Sequence, residues 1–370
     1  MLELHLHGSP VVARDAVRAM LACGARLAQP GEFTRRAFFN GKMDLHAAAA
    51  VANVIDAETS AAARAALANL DGGLTAAVRA LRERLAAILE ELAGTIDFPD
   101  EVPEPDRGAL ELRLTPVLSA LRTLNRDGEV GRLLREGVSV AIVGPPNAGK
   151  SSLLNALLGA DRAIVSEVPG TTRDTIEESV VIDGVPIRLI DTAGIRAHAD
   201  RLESSGIERT GRALAAARIA LVVLDGSRPL ADDARAIVKR THGRERILFY
   251  NKADLGTSGV QADRGPGIVV GSVAEPATLD ALRRAIASLG WGGETIDASR
   301  PHLAALYEFD AVNAAIEALA SALDTLRSAE PLDFVTTGVQ RAFSALGHVS
   351  EQVAAEEVVD GIFSRFCIGK

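Results

Sequence analysis

The sequence predicts a multidomain protein of the α and α/β classes, in which a mainly parallel α/β unit is inserted into an all-α unit, with a short α+β segment in front. Ala- and Leu-rich stretches with helical spacing lie on both sides of residues 137–296. Within that range, apolar β-branched runs alternate with helical stretches, which indicates a parallel sheet covered by helices on both faces. A Gly-rich turn between one such strand and a helix is the context that a phosphate-binding loop requires.

Composition and charge limit the class of protein. The chain has 370 residues, 48% of them hydrophobic and 24% charged, which permits two or three domains with sizeable cores. The net charge of −9 argues against a broad basic surface that grips nucleic acid unaided, so such a role needs a local patch or a basic partner. No apolar run is long enough for a bilayer, and the N-terminus lacks signal-peptide features. With only Cys23 and Cys367, a reducing cytoplasm is the predicted location.

The front segment is predicted to contain one strand and one helix. Residues 2–7 alternate apolar with polar or His, which predicts the strand, and residues 11–23 have helical spacing. Residues 29–42 are predicted to form a connector loop rich in charge and aromatics. So small a segment cannot bury enough surface alone, so we expect it to pack on the rest of the chain or to lack strands upstream of Met1.

The all-α unit is predicted to be a helical bundle in two halves. The sequence of the first half predicts one or two long helices, with Asp71–Gly73 as the point where the helix is weakest, and a further helix over residues 110–135. The Pro-rich residues 97–105 predict a loop between them. Ala-rich helices of this length need partners to bury their apolar stripes, and residues 297–370 supply the second half.

The α/β unit is predicted to contain one hairpin in an otherwise parallel sheet. Asp183-Gly184 lies between two β-like runs, which is a hairpin signal. The other strands alternate with helices and are therefore predicted to be parallel. The apolar runs that predict strands are residues 138–143, 185–190, 219–224, 246–250 and 267–270.

The turn Gly144–Ser151 fits the pattern G-x-x-x-x-G-K-[ST]. Its glycines let backbone N–H groups reach phosphate oxygens, and the following helix adds unpaired N–H donors. Lys150 is predicted to reach the β- and γ-phosphates of a nucleotide, and Ser151 to bind Mg²⁺. Alone, this octapeptide could be a chance match to an ordinary Gly-rich turn.

Three further segments make a chance match remote. Asp191–Gly194 follows a strand, where an Asp can hold Mg²⁺ through water and a Gly can offer an N–H to a γ-phosphate. Asn251–Asp254 follows another strand, and its Asp can accept hydrogens from guanine N1–H and the 2-amino group, a pair that adenine lacks. Gly170–Asp174 offers hydroxyls, one of which can complete Mg²⁺ coordination. The four segments in this order predict a Ras-like P-loop G domain.

At this point the chain resembles a known family. The four segments are similar to those of translation-factor-class GTPases, and Pro30–Phe38, Asp97–Pro99 and the terminal Phe366–Lys370 narrow the resemblance to the MnmE (TrmE) family of tRNA-modification GTPases. The family has a G domain inserted in a helical domain behind a folate-binding N-terminal domain. The resemblance implies a partial N-terminal folate-binding and dimerisation domain at residues 1–42 and the first half of the helical domain at residues 43–136. It places the G domain at residues 137–296 and the second half of the helical domain at residues 297–370.

The resemblance also implies the residues of the GTP site. The family uses bound K⁺ in the electrostatic role of an arginine finger. Glu203 matches the acidic residue that helps position the attacking water; without the family, a solvated carboxylate at a helix start is the better interpretation. The implied K⁺ ligands are Asn147, Ser166, Val168 and Thr171, and the implied Mg²⁺ ligands are Ser151 and Thr172. The implied GTP-binding set is Asn147, Ala148, Gly149, Lys150, Ser151, Ser152, Ser166, Glu167, Val168, Pro169, Gly170, Thr171, Thr172, Asp191, Thr192, Ala193, Gly194, Asn251, Lys252, Asp254 and Ser272.

A folate site and a modification cysteine follow from the same resemblance. Glu3, Lys42 and Lys370 match the family's folate site, with 5-formyl- or methylene-tetrahydrofolate as the one-carbon source. Cys367 matches a cysteine implicated in the modification step. From the residues alone, Glu3 and Lys42 pass for surface charges, and a cysteine near a C-terminus is more often a small buried residue. No metal-ligand spacing is found at His5, His7 or His46.

Two features depart from the family pattern. The N-terminal segment is shorter than the family's domain and lacks its first strands, which puts folate binding and dimerisation through it in question. Ser272-Val273 stands where the family usually has Ser-Ala behind the guanine, and we expect the backbone N–H there to remain available.

The resemblance implies an enzyme, a K⁺-activated and Mg²⁺-dependent GTPase. It would add a carboxymethylaminomethyl-type group at C5 of the wobble uridine of certain tRNAs. It would do so with a flavin- and NADH-dependent partner, in a heterotetramer built on a homodimer. No membrane is expected to be involved. Two alternatives are a ribosome-assembly GTPase with a similar G domain and a non-catalytic nucleotide-binding scaffold. The Ala-rich helices and the Cys-Ile-Gly-Lys terminus argue against the first, and the four intact segments argue against the second.

Overall fold

The computed structural model describes most of the chain, as a helical bundle joined to a six-stranded sheet. Among the helices in the described ranges, none combines the length and the apolarity needed to cross a bilayer. The described residues are 3–97, 100–160, 177–191, 206–260, 267–293, 296–328 and 330–350, together with Val359, Ile362, Phe363 and Phe366.

The front segment contains two helices. Helix α1 (Pro10–Ala22) confirms the predicted helix, although none of its residues is buried. The predicted strand is wrong, because residues 3–7 form no strand. A lone strand leaves its backbone groups without ladder partners, and the described sheet contains no strand that pairs with this segment.

The predicted connector loop at residues 29–42 is also wrong, because it contains helix α2 (Glu32–Phe39). Glu32 lies in the first turn, where its carboxylate accepts a hydrogen bond from the Gln29 N–H at 2.9 Å. Arg26 donates to the same carboxylate and lowers the pKa of Glu32 to about 2. A charged carboxylate at a helix N-terminus favours the helix, and α2 buries Phe38 against the helices that follow.

The first half of the bundle comprises α3 (Leu45–Ile55), α4 (Ser60–Leu70), α5 (Gly73–Asp97) and α6 (Arg107–Glu136). The predicted break at Asp71–Gly73 is confirmed. A second break, after α3, was not predicted. It is fixed by an N-cap, because Thr59 Oγ1 accepts the Ala62 N–H of α4 at 3.0 Å.

The predicted bundle is confirmed. Helices α5 and α6 pack with α11 (Leu306–Arg327) and α12 (Leu332–Ser350) around one apolar core. Leucines supply most of the volume in α5 and α6, whereas alanines line α11 and allow α12 to approach closely. The fully buried leucines of this core include Leu74, Leu85, Leu92, Leu110, Leu114 and Leu121.

A buried ion pair joins the two halves of the bundle. His46 Nδ1 of α3 lies 2.6 Å from Glu308 Oε1 of α11, and both side chains are at most 5% exposed. His46 Nε2 bonds to the carbonyl of Val349 in α12, while the second Glu308 oxygen accepts the N–H of Ala305 at 3.1 Å. Burial alone would lower the pKa of His46, but the Glu308 carboxylate outweighs it and the pKa is raised. Both ring nitrogens of His46 face oxygen acceptors, which suits a protonated imidazole, and the contacts tie three helices together.

The α/β unit is a six-stranded sheet of order β2-β3-β1-β4-β5-β6. Strands β2 and β3 form the predicted antiparallel hairpin, with positive φ at Asp183 and Gly184, and all other neighbours are parallel. The strands are β1 (Val138–Val143), β2 (Glu177–Ile182), β3 (Val185–Asp191), β4 (Ile219–Asp225), β5 (Arg246–Asn251) and β6 (Ile268–Val270).

Helices cover both faces of this sheet, as predicted. Successive residues of β1 point to opposite faces, so that Val140 and Ile142 lie in one core and Ala141 and Val143 in the other. The described helices of the unit are α7 (Lys150–Ala160), α8 (Gly206–Ala216), α9 (Asp232–Arg240) and α10 (Pro276–Trp291). The mainly parallel sheet with its helical bundle confirms the predicted fold class, except for the strand in the front segment.

Candidate nucleotide-binding site

The candidate site lies where three neighbouring strands end. Strands β1, β4 and β5 are adjacent and parallel, so their carboxyl ends meet at one edge of the sheet. Ligands of open α/β sheets bind at this edge. It carries the Gly-rich loop Gly144–Gly149 after β1, Asp225 at the end of β4 and Asn251 at the end of β5.

The Gly-rich loop leads directly into α7, which begins at Lys150. Lys150 Nζ donates to the carbonyl oxygens of Gly144 at 2.9 Å and Pro145 at 2.7 Å, so the ammonium group lies against the loop backbone. Ser151 and Ser152 are exposed in the first turn of α7. The first N–H groups of a helix have no intrahelical acceptor, so this turn, with a cation beside it, suits a phosphate.

Asn251 fixes the loop to the next part of the site. Its side chain is buried, with Nδ2 donating to the Ala148 carbonyl at 2.9 Å and Oδ1 accepting the Val273 N–H at 3.0 Å. One amide thus holds the phosphate loop and the segment after β6 in register. The predicted site residues of these two segments are brought together through it.

Gly149 is required by this close approach. Its φ of +101° disfavours any side chain, and a Cβ there would lie 2.3 Å from Asn251 Nδ2. We expect Gly149→Ala to displace Asn251 and to weaken nucleotide binding by at least about tenfold, a loss of about 1.4 kcal/mol. Titration with a fluorescent guanine nucleotide measures this. Gly159→Ala in α7, where a Cβ would meet nothing within 4 Å, is the control.

Lys252 joins the loop to an acid that the sequence reasoning missed. Its Nζ donates to the Asn147 carbonyl and to Asp225 Oδ2, both at 2.8 Å. Burial opposes ionisation of Asp225, yet hydrogen bonds from Lys252 and Ser227 outweigh it and lower the pKa of Asp225. The signal for Asp225 was its place at the end of the strand next to β1.

Asp254 is the predicted acceptor of the guanine base. It lies in a short 3-10 helix, Ala253–Leu255, that is held by the Ala253 N–H donating to the Gly271 carbonyl at 3.1 Å. Its side chain is exposed, and no hydrogen bond or ion pair from the described part of the chain reaches its carboxylate. The carboxylate is accordingly available to a base at this edge of the sheet.

The segment behind the predicted base position differs from expectation in one respect. The Ser272 side chain is buried, and its N–H donates to Thr278 Oγ1 at 3.2 Å. The Val273 N–H is taken by Asn251. The prediction that a backbone N–H remains available there is therefore wrong for both residues, because each N–H donates to the side-chain oxygen of a buried residue.

The remaining predicted residues are not assembled by the described part of the structure. Glu3 is exposed, with His5 Nε2 3.7 Å from its carboxylate, and Lys42 is exposed at the end of the front segment. Asp191 ends β3. Outside the described residues lie Ser166, Glu167, Val168, Pro169, Gly170, Thr171, Thr172, Thr192, Ala193, Gly194, Glu203, Cys367 and Lys370.

Known proteins resemble this chain over its full length. The family model of the MnmE helical domain matches residues 45–367, and the family model of the GTP-binding protein TrmE N-terminus matches residues 1–42. The tRNA modification GTPase MnmE of a Synechococcus species is 40% identical over 376 residues, covering 100% of this chain and 80% of the relative. That of Moorella thermoacetica is 41% identical over 380 residues, covering 100% and 82%.

Solved structures are more distant. The G domain of the T. maritima FeoB iron transporter is 23% identical and covers 41% of this chain and 98% of its own, with a TM-score of 0.31. A similarity that low adds no argument. The relatives matched along the whole chain are those that bear on its function.

Proposed function

This chain belongs to the MnmE family of tRNA modification GTPases, and we propose that it hydrolyses GTP at the edge of β1, β4 and β5 with Mg²⁺ and an activating K⁺. The observation that supports this site most strongly is the network of Asn251 and Lys252, which holds the phosphate loop beside the exposed Asp254 carboxylate. This network would hold the proposed phosphate and base positions at one edge of the sheet.

The described residues provide for nucleotide binding. The first turn of α7 and Lys150 receive the β- and γ-phosphates, and Lys150 exchanges its two loop carbonyls for phosphate oxygens. Asp254 accepts from guanine N1–H and the 2-amino group. Glu203, proposed from the family, orients the water that attacks the γ-phosphorus in line with the departing GDP oxygen.

The donor set fits the two cations. Ser151 presents an exposed hydroxyl beside the phosphate position, and with Thr172 it would hold Mg²⁺, which neutralises charge on the β- and γ-phosphates. Asn147 is exposed, with a φ of +61°, and with Ser166, Val168 and Thr171 it would offer only oxygen ligands to K⁺. A bound K⁺ supplies positive charge where negative charge develops.

Turnover in matched KCl and NaCl solutions tests the potassium proposal. We expect GTP hydrolysis to be faster in KCl by about a hundredfold, the scale of a lost transition-state contact. Asn147→Gly tests the ligand, because glycine keeps the positive φ and removes only the carboxamide. It should lose most of the acceleration and retain GTP affinity. Equal wild-type rates in the two salts would refute the potassium site.

The finer steps of tRNA modification are proposed from the family. With a flavin- and NADH-dependent partner, in a heterotetramer built on a homodimer, the chain would add a carboxymethylaminomethyl-type group at C5 of the wobble uridine of certain tRNAs in the cytoplasm. Cys367 would serve that step. The net charge of the chain, −9, is compatible with a partner that provides most of the tRNA-binding surface.

Folate binding and the division into domains are also proposals. Glu3 and Lys42 are exposed and not paired with each other, so both are accessible to a folate that carries the one-carbon unit. The proposed domains are the N-terminal domain at residues 1–42, the first half of the helical domain at residues 43–136, the G domain at residues 137–296 and the second half of the helical domain at residues 297–370.

A further inference from the structure

A surface cleft of about 520 Å³ runs along α9 to the start of β5. Helix α9 follows β4 and returns across the sheet, so its last turn lies at the edge where the parallel neighbour β5 begins. Strand β5 has its first residue, Arg246, at the cleft and its last, Asn251, at the nucleotide site, about 17 Å away at 3.3 Å per residue. This end of the cleft is therefore distinct from the nucleotide site. The described residues that line the cleft are Leu230, Arg235, Val238, Lys239, His242 and Arg246.

Basic side chains dominate this cleft. Arg235, Lys239 and His242 are spaced i, i+4 and i+7, so they follow one face of α9 and its continuation. All three are exposed, and Arg246 of β5 lines the same cleft. No carboxylate is among the lining residues that the structure describes. Residues 235–246 contain five Arg or Lys and one acid, in a chain whose net charge is −9, so the cleft is a local concentration of positive charge.

Stabilisation of α9 accounts for only part of this charge. Cations at a helix C-terminus interact favourably with its free carbonyls, and Arg246 does so, because its Nη1 donates to the Val238 carbonyl at 2.7 Å. Lys239 and His242 make no side-chain hydrogen bond or ion pair within the described part of the chain. Arg235 has an exposed ion pair with Asp232, at 3.7 Å, and such pairs are weak. Three basic side chains are therefore accessible to an anionic partner.

The chemistry of the cleft suits a phosphodiester backbone. An Arg guanidinium group binds phosphate oxygens in a bidentate manner, and a Lys ammonium group binds them as a point charge. Neither Phe, Tyr nor Trp is among the described lining residues, so this part of the cleft offers no platform on which a base could stack. Contacts of this kind fix position without reading sequence. A local patch is also what a chain with a net charge of −9 needs to approach an RNA.

We propose that this cleft contacts the phosphate backbone of the tRNA substrate, with Arg235, Lys239 and His242 as the contact residues. This rests on the role in tRNA modification proposed above. The contact is independent of base sequence and leaves the nucleotide edge of the sheet free. It adds a second, smaller surface to the one that a partner subunit would provide.

Binding of a fluorescently labelled tRNA transcript to the full chain, measured over a series of KCl concentrations, tests this proposal. Arg235→Gln/Lys239→Gln should weaken binding by at least about tenfold at about 100 mM KCl, because two phosphate contacts are lost. The variant should also lower the slope of log Kd against log salt by about two, one for each contact. A purely structural role for the two side chains would leave that slope unchanged.

Two further variants are controls. Arg235→Lys/Lys239→Arg keeps both charges and should keep the salt slope of the wild type. Arg79→Gln/Arg84→Gln removes two exposed cations from α5 of the bundle, the same change in net charge, and should bind tRNA as the wild type does. Phosphate release from GTP should be equal in all of these proteins, because none of the altered residues belongs to the proposed nucleotide site.

Three results would overturn the cleft as a tRNA contact. The first is an equal salt slope in the wild type and in Arg235→Gln/Lys239→Gln, and the second is an equal loss of binding in the α5 variant. The third is competition by poly-glutamate as strong as that by unlabelled tRNA at equal charge, which would assign the cleft to an acidic protein. A wild type that binds tRNA as expected but releases no phosphate from GTP would refute the proposed hydrolysis alone.

Discussion

Asp254→Asn is expected to weaken GTP binding by more than about a hundredfold and to strengthen binding of xanthosine triphosphate. The carboxylate of Asp254 would accept two hydrogens from guanine, and charge-assisted bonds of this kind contribute about 1.5–3 kcal/mol each. An Asn amide presents one donor and one acceptor instead. That pair matches xanthine, which carries a carbonyl where guanine carries its 2-amino group.

Titration of both nucleotides against the variant measures this exchange of preference. Asp254 is exposed and unpaired within the described residues, so the substitution should leave the stability of the fold unchanged. Asp232→Asn, at an exposed acid in the first turn of α9, is the matched control and should bind GTP as the wild type does. An Asp254→Asn variant with normal GTP affinity would exclude Asp254 as the base acceptor.

His46→Leu is expected to lower the free energy of unfolding by about 3–5 kcal/mol. The substitution leaves the Glu308 carboxylate buried without its cationic partner, which is the costly outcome for a buried ion pair. The double variant His46→Leu/Glu308→Gln should recover much of the loss, because it removes the buried charge while a glutamine oxygen still accepts the Ala305 N–H. Chemical denaturation of the three proteins measures the losses, and a double variant as unstable as the single one would refute the ion-pair explanation.

The same pair makes a pH-dependent contribution to stability. The pKa of His46 in the folded protein is raised above 6.5, so the unfolded state releases this proton first as the pH rises. The contribution is complete below pH 6.5 and declines as the pH rises through the folded value. Asp44, Tyr307 and Glu308 are the ionisable groups that face the imidazole. The stability advantage over the double variant should therefore shrink as the pH rises above 6.5, and an advantage that grows instead would contradict a protonated His46.

The sheet and the phosphate loop could be predicted because their signals are local. Each buried strand is a short apolar run, and the loop Gly144–Ser151 depends on glycines whose conformations few other residues adopt. The parallel direction of most strands follows from the helices between them, because parallel neighbours need crossover connections. These features depend little on distant parts of the chain.

Other features depended on partners distant in sequence. Residues 3–7 alternate like a strand but have no neighbour in the described sheet, so the pattern alone misled. The pairing of His46 with Glu308 spans 262 positions, and neither residue carries a local signal of burial. Asp225 became visible as a site residue only when β4 was placed beside β1. Most of the segments proposed to bind the γ-phosphate and K⁺ lie outside the described residues.

Phosphate release from GTP and from ATP by the unaltered chain, with Mg²⁺ and either KCl or NaCl, tests the proposed activity most directly. If Asp254 selects guanine, phosphate should be released from GTP, with none above background from ATP. If Asn147 and its proposed partners bind K⁺, KCl should accelerate the release from GTP. Comparable release from both nucleotides, or release from GTP at the same rate in both salts, would contradict a potassium-activated, guanine-specific hydrolase.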